Sequence, residues 1–163
     1  MPYVLHGEDV VEVGLKIEQN GRKFYTKVAE LSKTADIREL FGFLAVQEQR
    51  HIEQFRAIMR SGGSYRPPEA IAEEQMAYVR ALASMFVFTP DFPPEYAAVQ
   101  AQTPEAAIEI GINVEKDSIL FYRNVEDYVP PKEAETVREL RRQEETHLRI
   151  LTEKLSLLRG KSL

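Results

Sequence analysis

Cysteine is absent from this chain, which removes disulfides, zinc ribbons, iron–sulfur clusters and thiol catalysis together. The absence fits a reducing compartment, and a cytoplasmic location is expected. No apolar run reaches the roughly 18–20 residues that a bilayer span requires, so no membrane role is expected. The start, MPYVLHGEDV, has neither a basic stretch nor an apolar core and does not read as a signal peptide. Positive charge is in deficit: 21 Lys and Arg against 26 Asp and Glu give a net charge of −5. Nucleic-acid binding therefore lacks electrostatic support. No segment alternates apolar and polar residues as a strand does, so the fold class is all-α.

What is present suits one globular domain over residues 1–163, with 44% hydrophobic and 29% charged residues. A first helix is predicted from about Glu8 to Leu31, where Val11, Leu15, Glu18, Tyr25 and Ala29 recur at helical spacing. Asp36 with Glu39 reads as a capping box opening a second helix, which carries Leu40, Phe41, Leu44, Glu48, His51, Phe55 and Ile58 on one side. Gly62, Gly63, Pro67 and Pro68 stop it. A long crossover follows: a helix from Glu69 to about Phe88, then TPDFPPEYAAVQAQ as a Pro-rich loop. Thr103 and Pro104 form a cap and a first-turn proline for the third main helix, which runs to about Tyr128. Pro131 opens the fourth, to about Leu158. Tight joins within each half and a long join between them predict a four-helix bundle of two antiparallel pairs, with an extra helix in the crossover.

One chemical pattern is written twice. Glu18, Glu48 and His51 are echoed by Glu115, Glu144 and His147, and the Glu-to-Glu separations in the two halves differ by one residue. The lone glutamates head similar stretches, IEQNGRKFY and VEKDSILFY, so Phe24-Tyr25 and Phe121-Tyr122 occupy matching places. Each Glu sits on an apolar stripe. An ionised carboxylate there is costly unless a cation pairs with it, and the stripes carry no Lys or Arg. Two divalent metals would neutralise the set. Glu and His three apart share one helix face, so each metal receives an imidazole and a carboxylate, and lone Glu18 and Glu115 complete and bridge the pair. Mixed oxygen and nitrogen ligands suit iron, with manganese or zinc as alternatives.

One Glu-x-x-His is a weak signal, since such a pair often lies on a solvated face. Its recurrence with matched lone glutamates is much stronger. Tyr25 and Tyr122 fall two turns from their glutamates and are candidates for supporting the ligands from behind. His6 reads as ordinary surface, and Glu73, Glu74, Glu133 and Glu135 as solvated helix faces.

IEQNGRKFY, VQEQRH, VEKDSILFY and RQEETH together resemble the ferritin-like superfamily, most closely its rubrerythrin-like branch. The resemblance implies a ferritin-like bundle holding a non-haem di-iron centre, with Glu18, Glu48, His51, Glu115, Glu144 and His147 as metal ligands. It implies an oxidoreductase that reduces peroxide or oxygen, a role in oxidative stress, and a homodimer. Three departures qualify it. Rubrerythrins carry a Cys-ligated rubredoxin module, so here a separate donor protein must supply electrons. Their additional Glu one turn before the third-helix ligand is replaced by Ile112. The crossover is longer than usual, and MFVFTPDFPPEY either covers a bundle edge or contributes to a dimer contact. Bacterioferritin's haem-binding Met has Gln49 in its place, so no haem is expected. The alternatives are a ferroxidase that stores iron in a hollow assembly, and a helical interaction module with a structural metal site.

Overall fold

A computed structural model describes residues 7–62 and 73–160. The described chain is helical: α1 (Gly7–Leu31), α2 (Ala35–Gly62), α3 (Glu73–Ser84), α4 (Pro94–Gln100), α5 (Pro104–Val125) and α6 (Ala134–Leu158). A single isolated bridge, Thr89 with Phe92, takes the place of any strand among the described residues. α1 packs along α2 and α5 along α6, while the α1–α5 and α2–α6 contacts join the two pairs. Two antiparallel pairs with one long crossover are therefore the observed arrangement.

Local chemistry explains the boundaries. Thr103 accepts a hydrogen bond from the Ala106 N–H at 3.1 Å, and Pro104 follows at the first turn of α5. Pro130 and Pro131 separate α5 from α6, with a 3-10 turn on either side of the break (Glu126–Tyr128 and Pro131–Glu133). Gly160, at φ 65°, terminates α6 in the left-handed conformation that glycine adopts without strain.

Two expectations are corrected. α2 starts at Ala35, and the Thr34 carbonyl already accepts the Arg38 N–H at 3.1 Å. Asp36 thus lies inside the first turn rather than at the cap. Its carboxylate is met by Lys154 of α6 at 2.6 Å, which ties the two pairs together. Residues 94–100, expected as loop, form α4, because Pro94 is compatible with a first helical turn and the AAV that follows favours continuation. The crossover helix is described from Glu73 to Ser84. Residues 69–72, His6 and the stop signals Gly63, Pro67 and Pro68 lie outside the described residues.

The core is two apolar clusters stacked along the bundle. One gathers Phe55, Phe121, Tyr122, Val125 and Leu140, and the other Phe24, Tyr25, Phe41, Leu44, Ile108 and Leu151. Each fully buried Phe or Leu contributes about 1.5–3 kcal/mol, so the clusters can offset a polar layer placed between them. The crossover covers the α1–α5 edge: α4 packs on α1, and the Val87 N–H donates to Asp117 of α5 at 2.9 Å. Among the described residues no helix is long and apolar enough to cross a membrane.

Packing is tight where the two pairs meet. A side chain at Gly14 would have its Cβ 2.9 Å from Phe55 Cε1 and 3.2 Å from Phe121 Cε1. Gly42 faces open space. Gly14→Val is expected to lower unfolding free energy by about 1–3 kcal/mol through overpacking. Gly42→Ala is expected to raise it by up to about 1 kcal/mol through helix propensity. Urea denaturation of the two variants tests both signs.

Candidate metal centre

The polar layer contains the six residues of the doubled pattern. Glu18, Glu48, His51, Glu115, Glu144 and His147 are 0–3% exposed, and with Ser118 they make up the buried polar and charged residues among those described. Among the described residues no Lys or Arg is buried with them. α1 supplies Glu18, α2 Glu48 and His51, α5 Glu115, and α6 Glu144 and His147. The ring centroids of His51 and His147 lie 5.6 Å apart, with the ring planes at 17°.

The six fall into two overlapping groups. Ligand atoms of Glu18, Glu48, His51 and Glu144 lie within 4.8 Å of one another, and so do those of Glu48, Glu115, Glu144 and His147. Glu48 and Glu144 belong to both groups. This corrects the expected division of labour: the shared position falls to the paired glutamates of α2 and α6, and lone Glu18 and Glu115 each belong to one group. The cause is geometric. Glu48 and Glu144 each have a carboxylate oxygen within 4.0 Å of Nδ1 of both histidines, whereas Glu18 meets His51 and Glu115 meets His147.

Nδ1 of each histidine faces the carboxylates. His51 Nδ1 is 3.1 Å from Glu18 Oε2 and 3.1 Å from Glu144 Oε1, and His147 Nδ1 is 2.9 Å from Glu144 Oε2. The Nε2–H of His51 donates to Gln143 Oε1 at 2.9 Å, which fixes the ring and directs Nδ1 inward. Gln143 immediately precedes Glu144, and its counterpart before Glu48 is Gln47, so a matched Gln-Glu pair was the available sequence signal.

The tyrosines behave differently. Tyr25 donates to Glu115 Oε1 at 2.5 Å, reaching across to the carboxylate of the other half rather than to Glu18. The Tyr122 hydroxyl is buried without a hydrogen-bond partner, and its ring packs 5.5 Å from Phe55. Gly21 was not singled out from the sequence. A Cβ there would stand 3.1 Å from Glu48 Oε2, so the missing side chain gives that carboxylate its room. Ile112 is partly buried against the cluster that contains Tyr25. Phe43 of α2, 45% exposed, sets its ring edge-on to His147 at 6.2 Å on the solvent side.

The electrostatics are those of a site short of positive charge. Burial, reinforced by the charge of Glu144, pushes the carboxyls of Glu18, Glu48 and Glu115 well above their usual range. Glu144 goes the other way. Burial opposes its charge, but His51 and His147 hold it below the usual range. Burial likewise opposes a charged His51, yet Glu144 outweighs it and lifts the ring to about 9. Glu18 Oε1 and Glu48 Oε1 remain buried with no hydrogen-bond partner. Unpartnered oxygens, inward Nδ1 atoms and crowded carboxylates form a donor set that fits two divalent cations.

Known proteins share this architecture. The Rubrerythrin family model matches residues 9–155. A Thermotoga maritima structure, described as that of a candidate ferritin-like diiron-carboxylate protein, aligns with a TM-score of 0.68 at 26% identity. The alignment covers 91% of this chain and 93% of that one. No curated protein matches the chain.

The titrations give a signed prediction for metal-free protein. His51 is raised from 6.5 to about 9, so its contribution to stability is complete below pH 6.5 and is lost as pH rises through about 9. The raised carboxyls of Glu18, Glu48 and Glu115 act in the same direction, because above pH 4.5 the unfolded chain gives up protons that the folded chain retains. The lowered Glu144 contributes stability above pH 4.5 that is lost on acidification. Thermal unfolding of metal-free protein should show a lower midpoint at pH 9 than at pH 6.5. A midpoint that climbs over that interval would contradict the assignment.

Proposed function

The chain belongs to the Rubrerythrin family, and from that premise we propose that it is a non-haem di-iron oxidoreductase that reduces peroxide or oxygen with electrons from a separate donor. The observation that carries the proposal is the pair of overlapping groups, with Glu48 and Glu144 common to both. Glu18 and His51 would complete one iron site, and Glu115 and His147 the other. Bound there, two irons would supply two electrons to one substrate and Lewis acidity at its oxygen atoms. Overall, a peroxide takes two electrons and two protons and leaves as two waters.

The chain's own contribution is to position groups and exclude water. Tyr25 holds Glu115 by a hydrogen bond, and burial with the neighbouring Glu115 charge raises the phenol's pKa well above its usual value. Its proton therefore stays on the hydroxyl, which remains a donor to the carboxylate. Gln143 plays the matching role for His51 by accepting from Nε2. Phe24, Phe41, Phe55 and Tyr122, all 0% exposed, wall the layer above and below. Inside such walls the ligand charges act at low dielectric, where each counts for more than in water.

The shared carboxylates give a differential test. Protein purified without added metal should carry about two irons per chain. Glu48→Ala and Glu144→Ala should each lose both metals, because each variant removes a ligand from both groups. Glu18→Ala and Glu115→Ala should weaken one site, by about 10–100-fold or more, and leave the other loaded. Equal losses in all four variants would contradict the bridging assignment.

Reactivity is tested separately. In stopped flow, the diferrous protein should be oxidised by peroxide faster than free ferrous ion. No acceleration would refute the oxidoreductase reading. A large assembly holding many irons per chain on size-exclusion chromatography would replace it with iron storage.

A further inference from the structure

The bundle contains a second concave site that the metal layer does not use. Where the crossover covers the α1–α5 edge, it leaves a recess of about 430 Å³, within the size range of small-molecule sites. Its floor is apolar, from Ile17 of α1, Val114 of α5 and the crossover residues Phe86 and Phe88. One wall is a polar row on α1: Lys16, Asn20 and Lys23, spaced by four and then three residues and so facing one way. None of the three has a hydrogen-bond or ion-pair partner among the described residues. Of the two acids in the lining, Asp117 already accepts the Val87 N–H, and Glu95 is exposed on α4.

The two Phe-Tyr pairs of the repeat both lead to this recess. Tyr25, hydrogen-bonded to Glu115, lies 5.6 Å from Phe24, which lies 5.5 Å from Phe88. Tyr122 lies 6.2 Å from Phe121, which lies 6.1 Å from Phe86. The phenylalanines are not redox carriers. They form two continuous packed paths, each of two ring steps, to the recess floor: one starts at Tyr25, which is bonded to the buried carboxylate of Glu115, and the other at the buried ring of Tyr122. An unpaired cationic rim over an aromatic floor is complementary to a flat aromatic molecule with an anionic group.

We propose that the recess binds a planar aromatic electron carrier with an anionic substituent, of the flavin mononucleotide class, and is the point of electron delivery to the buried centre. The inference rests on the di-iron reading above for its destination. The reaction balances: a dihydroflavin gives up two electrons and two protons and becomes the oxidised ring, and peroxide takes both pairs, its O–O bond breaking to give two waters. The ring lies against Phe86 and Phe88, and the phosphate faces Lys16 and Lys23.

Binding is tested on metal-free protein, using flavin mononucleotide in equilibrium dialysis and fluorescence anisotropy. One saturable site per chain is expected. The double variant Lys16→Glu, Lys23→Glu should weaken flavin mononucleotide by about tenfold or more and leave riboflavin, which lacks the phosphate, unchanged. Both lysines are exposed, so its circular dichroism should match the parent. Absence of saturable binding, or binding indifferent to the double swap, overturns the proposal. Delivery is tested anaerobically with iron-loaded protein and dihydroflavin: adding peroxide should restore the oxidised-flavin absorbance faster than in the protein-free mixture, and slower in the double variant. If peroxide oxidises the diferrous protein while the flavin remains reduced, the recess assignment fails and the di-iron reading stands.

Discussion

Four carboxylates and two imidazoles share a core that, among the described residues, offers them no lysine or arginine, and the rest of the bundle is arranged around that imbalance. Without a cation the layer retains protons: three carboxyls are raised, and only Glu144, flanked by both histidines, is held in its charged form. Such a layer contributes poorly to stability for its volume. Two apolar clusters, one on each side along the bundle axis, supply the burial that offsets it. The same clusters keep water from screening the carboxylates, which strengthens both their mutual repulsion and their attraction for cations.

The halves of the repeat are coupled crosswise. Tyr25 of the first half supports Glu115 of the second, and Gln143 of the second orients His51 of the first. Glu48 and Glu144 each serve the histidine of both halves. Neither helix pair could therefore hold half of the site by itself. The coupling is also uneven, because the Tyr122 hydroxyl has no partner and Gln47 does not repeat the Gln143 contact. The two ligand groups built from one sequence pattern thus receive different support.

The crossover is more than a connection. By covering the α1–α5 edge it completes the burial around Phe24 and Phe121, through Phe88 and Phe86 respectively. It also shapes the recess over the row of α1 cations. Its short helix α4 and the Val87–Asp117 hydrogen bond hold that cover against the bundle.

Residue spacing alone determined much of this protein. The helical periodicity, the Thr103-Pro104 start, the proline break at 130–131 and the doubled Glu and Glu-x-x-His pattern are local features, because capping, ring geometry and the 3.6-residue repeat act within a few residues of the chain. Those features were enough to place the six buried Glu and His residues on inward faces and to identify an all-α bundle. Tertiary structure decided the rest. Which glutamates are shared depends on how far each helix is rotated about its axis, and no spacing within one helix records that. Tyr25 meets Glu115 because α1 lies beside α5, and Gly21 matters because Glu48 occupies the space its side chain would fill. α4 was hidden by its prolines, since a proline forbids a helix in its interior and favours one at its first turn, and only the surrounding packing distinguishes the two.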